Sequence, residues 1–308
     1  MGNTMRKFTF VSEADGLELS AMEILPEGEV KAIVQIAHGM SEYKERYTDF
    51  MNFLAENGIA AVIHDHRGHG ASVKSPNDLG FMYEGGKDGW IEDTHQLTRL
   101  TKERLGKDKP YCLLGHSMGS LIARCYAKKY DADIDKLVLL GSPSMVGGAG
   151  LGIFIADLAQ KCRGEKGHHK LLDFLVIDMN YESRYKSEKT PYSWVSSDKA
   201  VVEKYNNDPL CGYRFTISGY KHLINLTVDT YDRKGWKMNN KSLPVAFFSG
   251  EGDPCAISKK AFNKSVQFMR DVGYENVTGK MYPQMRHEVL NEPGRQQVYE
   301  EILEFLNA

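Results

Sequence analysis

A glycine-flanked serine, Gly115-His116-Ser117-Met118-Gly119, follows the apolar run Tyr111-Cys-Leu-Leu114 and opens into Ser120-Leu-Ile-Ala-Arg-Cys-Tyr-Ala127. A short strand over 111–114, a sharp turn and a helix over 118–130 are therefore expected, with the serine hydroxyl lifted clear of the backbone. Such a turn crowds the positions two residues either side of its apex, which is why glycine stands at 115 and 119. The turn also aims the first free N–H groups of the helix at the serine, so the Met118 amide is an oxyanion donor for attack on an acyl carbon.

The surrounding chain sets this turn in a layered α/β context. Two alternating runs around Asp15-Gly16 read as a hairpin, and Ala32-Ile-Val-Gln-Ile-Ala37 and Ile59-Ala-Ala-Val-Ile63 as buried strands. Lys136-Leu-Val-Leu-Leu140, Val245-Ala-Phe-Phe248 and Val277–Tyr282 continue the series. Helical spacing lies between them at 47–54, 87–105, 257–272 and 294–306. Strands alternating with helices of this length make a mostly parallel central sheet flanked by helices. The rhythm breaks over 143–242, where no buried-type strand occurs. This divides the chain into a core, 1–142 and 243–308, and an inserted, mainly helical cap, 143–242.

An activated serine needs a base and an acid that orients it. On a sheet of this kind the acid follows the penultimate strand and the histidine the last. Asp253 and His287 stand at those places. Glu251 is the rival acid; the glycines at 250 and 252 and Pro254 favour Asp253 as the residue swung inward. The second oxyanion donor is the amide of Met40, after the strand that ends at Ala37. His38 and Asp65-His66-Arg67-Gly68 read as turn-stabilising groups beneath the site.

Composition excludes several classes. A net charge of −2 recruits neither nucleic acid nor an acidic membrane surface. The five cysteines are widely spaced without a C-x-x-C, which argues against a disulfide framework and a zinc site. No metal or cofactor is expected. The N-terminal residues lack an apolar signal core, and no apolar run approaches about 18 residues. A cytoplasmic protein without a transmembrane segment is the expectation.

His38-Gly-Met-Ser-Glu42 with Arg46-Tyr47, Asp65-x-Arg-Gly-His-Gly-x-Ser72, Gly115-His-Ser-Met-Gly119, Gly250-x-x-Asp253 and Arg286-His-Glu-x-Leu-Asn-Glu292 resemble the monoacylglycerol lipase and lysophospholipase-like branch of the α/β-hydrolase fold. In the 143–242 segment, Trp194-Val-Ser-Ser-Asp198 and Asp208-Pro-Leu-Cys-Gly212 resemble its bacterial members. The resemblance implies a cofactor-independent serine esterase acting on a small acyl ester or lipid, with Ser117 as nucleophile, His287 as base, Asp253 as acid, and Met40 and Met118 amides as oxyanion hole. A short-chain carboxylesterase, a thioesterase or a proline-releasing aminopeptidase would use the same triad, with Asp157, Asp173 or Asp178 as candidate amine ligands. A non-catalytic binding protein is the reading of another class. The glycine-rich apolar stretch 147–158 either lines an acyl tunnel, touches a lipid surface or packs inside the cap.

Overall fold

The computed structural model describes residues 2–145 and 147–308. The element order is β1 (Thr4–Val11), β2 (Glu18–Leu25), β3 (Ala32–Ala37), α1 (Thr48–Glu56), β4 (Ile59–His64), α2 (Gly86–Leu105), β5 (Tyr111–His116), α3 (Met118–Tyr130) and β6 (Lys136–Leu140). After β6 come α4 (Ala149–Arg163), α5 (Lys170–Asp173), α6 (Lys199–Asn207) and α7 (Ile217–Thr230). The chain ends with β7 (Val245–Gly250), α8 (Lys259–Asp271), β8 (Val277–Tyr282) and α9 (Arg295–Asn307).

The strands form one eight-stranded sheet in the order β1-β2-β4-β3-β5-β6-β7-β8. From β4 to β8 every pairing is parallel; only β1 and β2 run against their neighbours. Successive residues of a strand face opposite sides, and both sides are covered, so β4, β5 and β7 are buried at every position. Leu113 joins the core under α2 and α3 with Trp90, Leu97 and Tyr126. Leu114 joins the opposite core with Phe50 and Leu54 of α1 and Ile302 of α9.

Among the described residues no strand occurs between β6 and β7. The helical segment there does not build a large core of its own. Phe215, Ile217, Tyr220 and Leu226 are part of the core beneath α2 and α3, and only a small cluster around Trp194, Val195 and Tyr205 stands apart, with Cys255 of the core chain inside it. The segment is thereby packed onto the carboxyl ends of the strands.

The strand-turn-helix at Ser117 depends on one backbone contact. A β-carbon at Gly119 would stand 2.0 Å from the Ala37 carbonyl oxygen, so α3 lies against the end of β3 with no room for a side chain. Gly119→Ala should cost about 1–3 kcal/mol by overpacking. Gly150→Ala in α4, where a β-carbon meets nothing within 4 Å, should leave stability the same or better. Thermal melts of the two variants check this; equal melting temperatures would show that α3 can withdraw from β3 freely.

Candidate active site

Ser117 has φ 53° and ψ −120°, a conformation that a side-chain-bearing residue adopts at a cost of order 1–3 kcal/mol. Its neighbours hold it there. The Ser117 N–H donates to Leu140 O at 2.9 Å, tying the turn to the end of β6, and its carbonyl accepts from the N–H and hydroxyl of Ser120 at 2.9 and 2.5 Å.

Asp253 and His287 stand at the ends of β7 and β8, and Nδ1 of His287 is 2.9 Å from Oδ1 of Asp253. Asp253 also accepts from the Cys255 N–H at 2.8 Å and the Ser249 hydroxyl at 3.0 Å. Burial pushes the Asp253 carboxyl up, but the His287 imidazole and these donors outweigh it and hold the pKa below the usual carboxylate range. Glu251, the rival acid, is exposed. The Nε2 of His287 has Cys255 Sγ as neighbour at 3.9 Å. No hydrogen bond joins Ser117 Oγ to His287 among the described residues, although both side chains line the same cavity.

That cavity measures about 330 Å³ and is also lined by Met40 and Met118. Its wall combines the polar groups of Ser117, His287, Glu42 and Glu288 with the aliphatic side chains of Leu121, Leu175, Ile177, Leu223 and Ile224. The stretch Gly147–Leu158 divides between two environments. Gly147, Gly148, Ala149, Leu151 and Gly152 line the cavity, while Phe154 and Leu158 are 64% and 56% exposed, and Leu151, on the same face of α4, reaches the cavity and is itself 62% exposed.

Residues 28–294 match the family model described as serine aminopeptidase, S33. The chain belongs to this family. It is 26% identical over 285 residues to the monoacylglycerol lipase of Mycolicibacterium smegmatis, covering 91% of this chain and 90% of that one. With the monoglyceride lipase of Mus musculus it shares 28% over 275 residues, 89% of this chain and 81% of that one. A highly thermostable carboxyl esterase from Bacillus coagulans, solved in complex with glycerol, superposes with a TM-score of 0.90 at 27% identity, covering 100% and 98% of the two chains. The fold of this S33 family member is the α/β-hydrolase fold that the sequence motifs implied.

Sequence reasoning passed over a buried charge network that joins the three loops of the site. Glu42 accepts from the Gly39 N–H at 2.5 Å, from the Tyr47 hydroxyl at 2.8 Å and from Arg46 at 2.7 Å, and lies 3.0 Å from Nδ1 of His116. Arg46 also forks onto both oxygens of Glu288, beside His287, at 2.6 and 2.7 Å. Burial would lower the His116 pKa, but Glu42 overrides it and raises it. The segment between β6 and β7 adds backbone pins: Trp194 O and Val195 O accept from the N–H groups of His287 and Glu288 at 3.4 and 2.8 Å. The signal lay in the quoted motifs, which contain Glu42, Arg46, Glu288 and Trp194, but their contacts join positions up to 242 residues apart.

Beneath the site His38, His64, His66 and His69 are fully buried, with ring centroids 4.3 to 6.4 Å apart along the cluster. Burial, then the charge of His38, Arg67 and Lys44, depresses His64 to about 3. Burial and His38 take His69 to about 3, and burial likewise leads the lowering of His38 and His66. Well above pH 6.5, His64 and His69 are neutral whether the chain is folded or not. As pH falls below it the unfolded chain takes up protons that these two refuse when folded, so stability falls by up to about 1.4 kcal/mol for each of the two per pH unit, with His38 and His66 acting in the same direction. Denaturant melts should therefore show a steep loss between pH 6 and pH 4.5, above the range of ordinary carboxyl groups. His64→Leu should lower the proton uptake on unfolding by about one; an unchanged pH slope would remove the cluster as the cause.

Proposed function

We propose that this protein is a carboxylic ester hydrolase acting on monoacylglycerol-type lipid esters, with Ser117 as nucleophile, His287 as base and Asp253 as the acid that orients it. The observation that carries the reading is the convergence of the strained serine and the Asp253–His287 pair on one cavity whose wall is largely aliphatic and aromatic. Substrate binding brings Ser117 Oγ and His287 Nε2 together, and His287 takes the hydroxyl proton as Oγ attacks the acyl carbon. The N–H groups of Met40 and Met118 stabilise the oxyanion. The alcohol leaves with the proton from His287, and water then cleaves the acyl-enzyme by the same route.

A cavity lined by both polar groups and aliphatic side chains such as Leu175, Leu223 and Ile224 suits an ester with a polar alcohol part and an apolar acyl chain. The names of the lipase relatives agree with this chemistry. A peptidase would need a free carboxylate in the cavity to receive an amine. Asp157 is paired with Lys221, Asp178 with Arg214, and Asp173 accepts from the Tyr220 hydroxyl, and none of the three lines the cavity. Glu42 and Glu288 do line it, but both are held by Arg46.

Residues 143–242 act as a cap over the site, and the exposed apolar face of α4 gives it a surface for transient contact with lipid aggregates. No helix among the described residues is long and apolar enough to cross a membrane, so such contact is peripheral.

Turnover of nitrophenyl esters, monoacylglycerols and a proline nitroanilide tests the assignment. Ser117→Ala and His287→Ala should each lose about 10⁴-fold or more in kcat with folding intact, and Asp253→Asn somewhat less. A Ser117→Ala protein that keeps a tenth of the activity, or a preference for the anilide, would overturn it.

The cap surface has its own test. Phe154→Asp together with Leu158→Asp should leave a soluble butyrate ester unaffected while depressing hydrolysis of the same monoacylglycerol in vesicles by about tenfold. Equal loss on both substrates, with a lower melting temperature, would mean that the face serves packing alone.

A further inference from the structure

The base nitrogen of the site faces a thiol. Cys255 Sγ lies 3.9 Å from His287 Nε2, and no oxygen or nitrogen of the described residues hydrogen-bonds to that nitrogen. Both side chains are 3% exposed, and both line the cavity, so an ion entering it meets them together. With Asp253 they form the group of potential metal ligands whose atoms all lie within 4.8 Å of one another.

A metal-binding imidazole characteristically gives its second N–H to a carboxylate, which fixes the tautomer and strengthens the free nitrogen as a ligand. The contact of His287 Nδ1 with Asp253 Oδ1 at 2.9 Å is that arrangement, already formed for proton transfer. Zinc bonds of about 2.3 Å to sulfur and about 2.0 Å to nitrogen, at a tetrahedral angle, separate the two donor atoms by about 3.5 Å. The observed 3.9 Å is a few tenths longer, within reach of a small side-chain rotation. Asp253 already accepts from Ser249, the Cys255 N–H and His287, which leaves it as the outer partner of the imidazole.

We propose that Cys255 Sγ and His287 Nε2 form an inhibitory site for a thiophilic divalent cation such as Zn²⁺ or Cd²⁺. On binding, the Cys255 S–H proton passes to solvent and the sulfur and Nε2 each donate a lone pair to the ion. No oxidation state changes. The remaining coordination positions face the cavity and take water. The inhibitory consequence rests on the reading of His287 as base: the lone pair that would receive the Ser117 proton is held by the metal. Mg²⁺ and Ca²⁺, which select oxygen ligands, do not bind here.

The test is a titration of purified protein with Cd²⁺ in a non-chelating buffer, followed by the ultraviolet thiolate-to-cadmium absorption band. The band is expected with the unaltered protein, with Ser117→Ala and with Cys162→Ser, which removes the exposed cysteine, and in the Cys162→Ser background it is expected to vanish when Cys255→Ser is added. In parallel, Zn²⁺ should abolish ester turnover, a chelator should restore it, and Cys255→Ser should raise the half-inhibitory concentration by about tenfold or more. Should Cys255→Ser fold poorly, His287→Gln provides the second arm, with cadmium affinity expected to fall by about 10- to 100-fold. A band that survives Cys255→Ser in the Cys162→Ser background, or zinc inhibition of equal potency in that variant, would overturn the site. A band that depends on Cys255 and His287 while turnover is untouched would keep the site and overturn instead the role of His287 as base.

Discussion

The approach of α3 to β3 at Gly119 is the constraint around which the molecule is arranged. With no side chain between them, the helix N-terminus and the end of the neighbouring strand lie backbone against backbone. Ser117 is then forced to positive φ, with its hydroxyl over the carboxyl edge of the sheet. The cost of that conformation is met by neighbours that are themselves fixed: Leu140 at the end of β6 and Ser120 in the first turn of α3. A strained residue persists only where its surroundings over-determine it, and the central position of β5 in an eight-stranded sheet supplies such surroundings.

The same edge carries the loops that surround Ser117, and they are joined by charge. Glu42, Arg46 and Glu288 are largely buried, and such pairs repay their desolvation only when geometry and further hydrogen bonds are good. Here one carboxylate fixes the Gly39 amide beside Met40, and the other is drawn to the same guanidinium from the loop that bears His287. Their effect is to fix the relative position of the loop that bears Met40 and the loop that bears His287. The backbone bonds from Trp194 and Val195 make the helical segment part of the same assembly, so movement of that segment is coupled to the position of His287.

Chemistry within this frame follows from how each nitrogen and oxygen is placed. Asp253 and Nδ1 of His287 are satisfied and buried, and His287 lines a cavity whose wall carries both polar groups and aliphatic side chains. In the proposed mechanism the Asp253 contact readies His287 to take a proton, and in the proposed metal site the same contact readies it to bind a soft cation beside Cys255.

How much of this was legible in the chain differs from element to element. The residue patterns placed β8 and α3 at the observed residues, although β8 is largely exposed and α3 is buried nearly all round, because where a strand or helix forms is a local consequence of residue order. The glycines around Ser117 and the places of Asp253 and His287 after the last two strands were equally readable, since the motif and topology require them. Glu251 and Asp253 are two residues apart, and turn chemistry favoured the one that meets His287 at 2.9 Å. By contrast, the pairing of Arg46 with Glu288, the packing of four histidines beneath the site, and the placement of Cys255 against His287 join residues from separate loops. The division of 147–158 into cavity wall and exposed face is of the same kind: its apolar pattern was visible, but which neighbours cover it was not. Local order determined strands, helices and the chemistry carried by each motif; only the folded sheet decided which side chains share one cavity, because that depends on contacts whose partners are far apart along the chain.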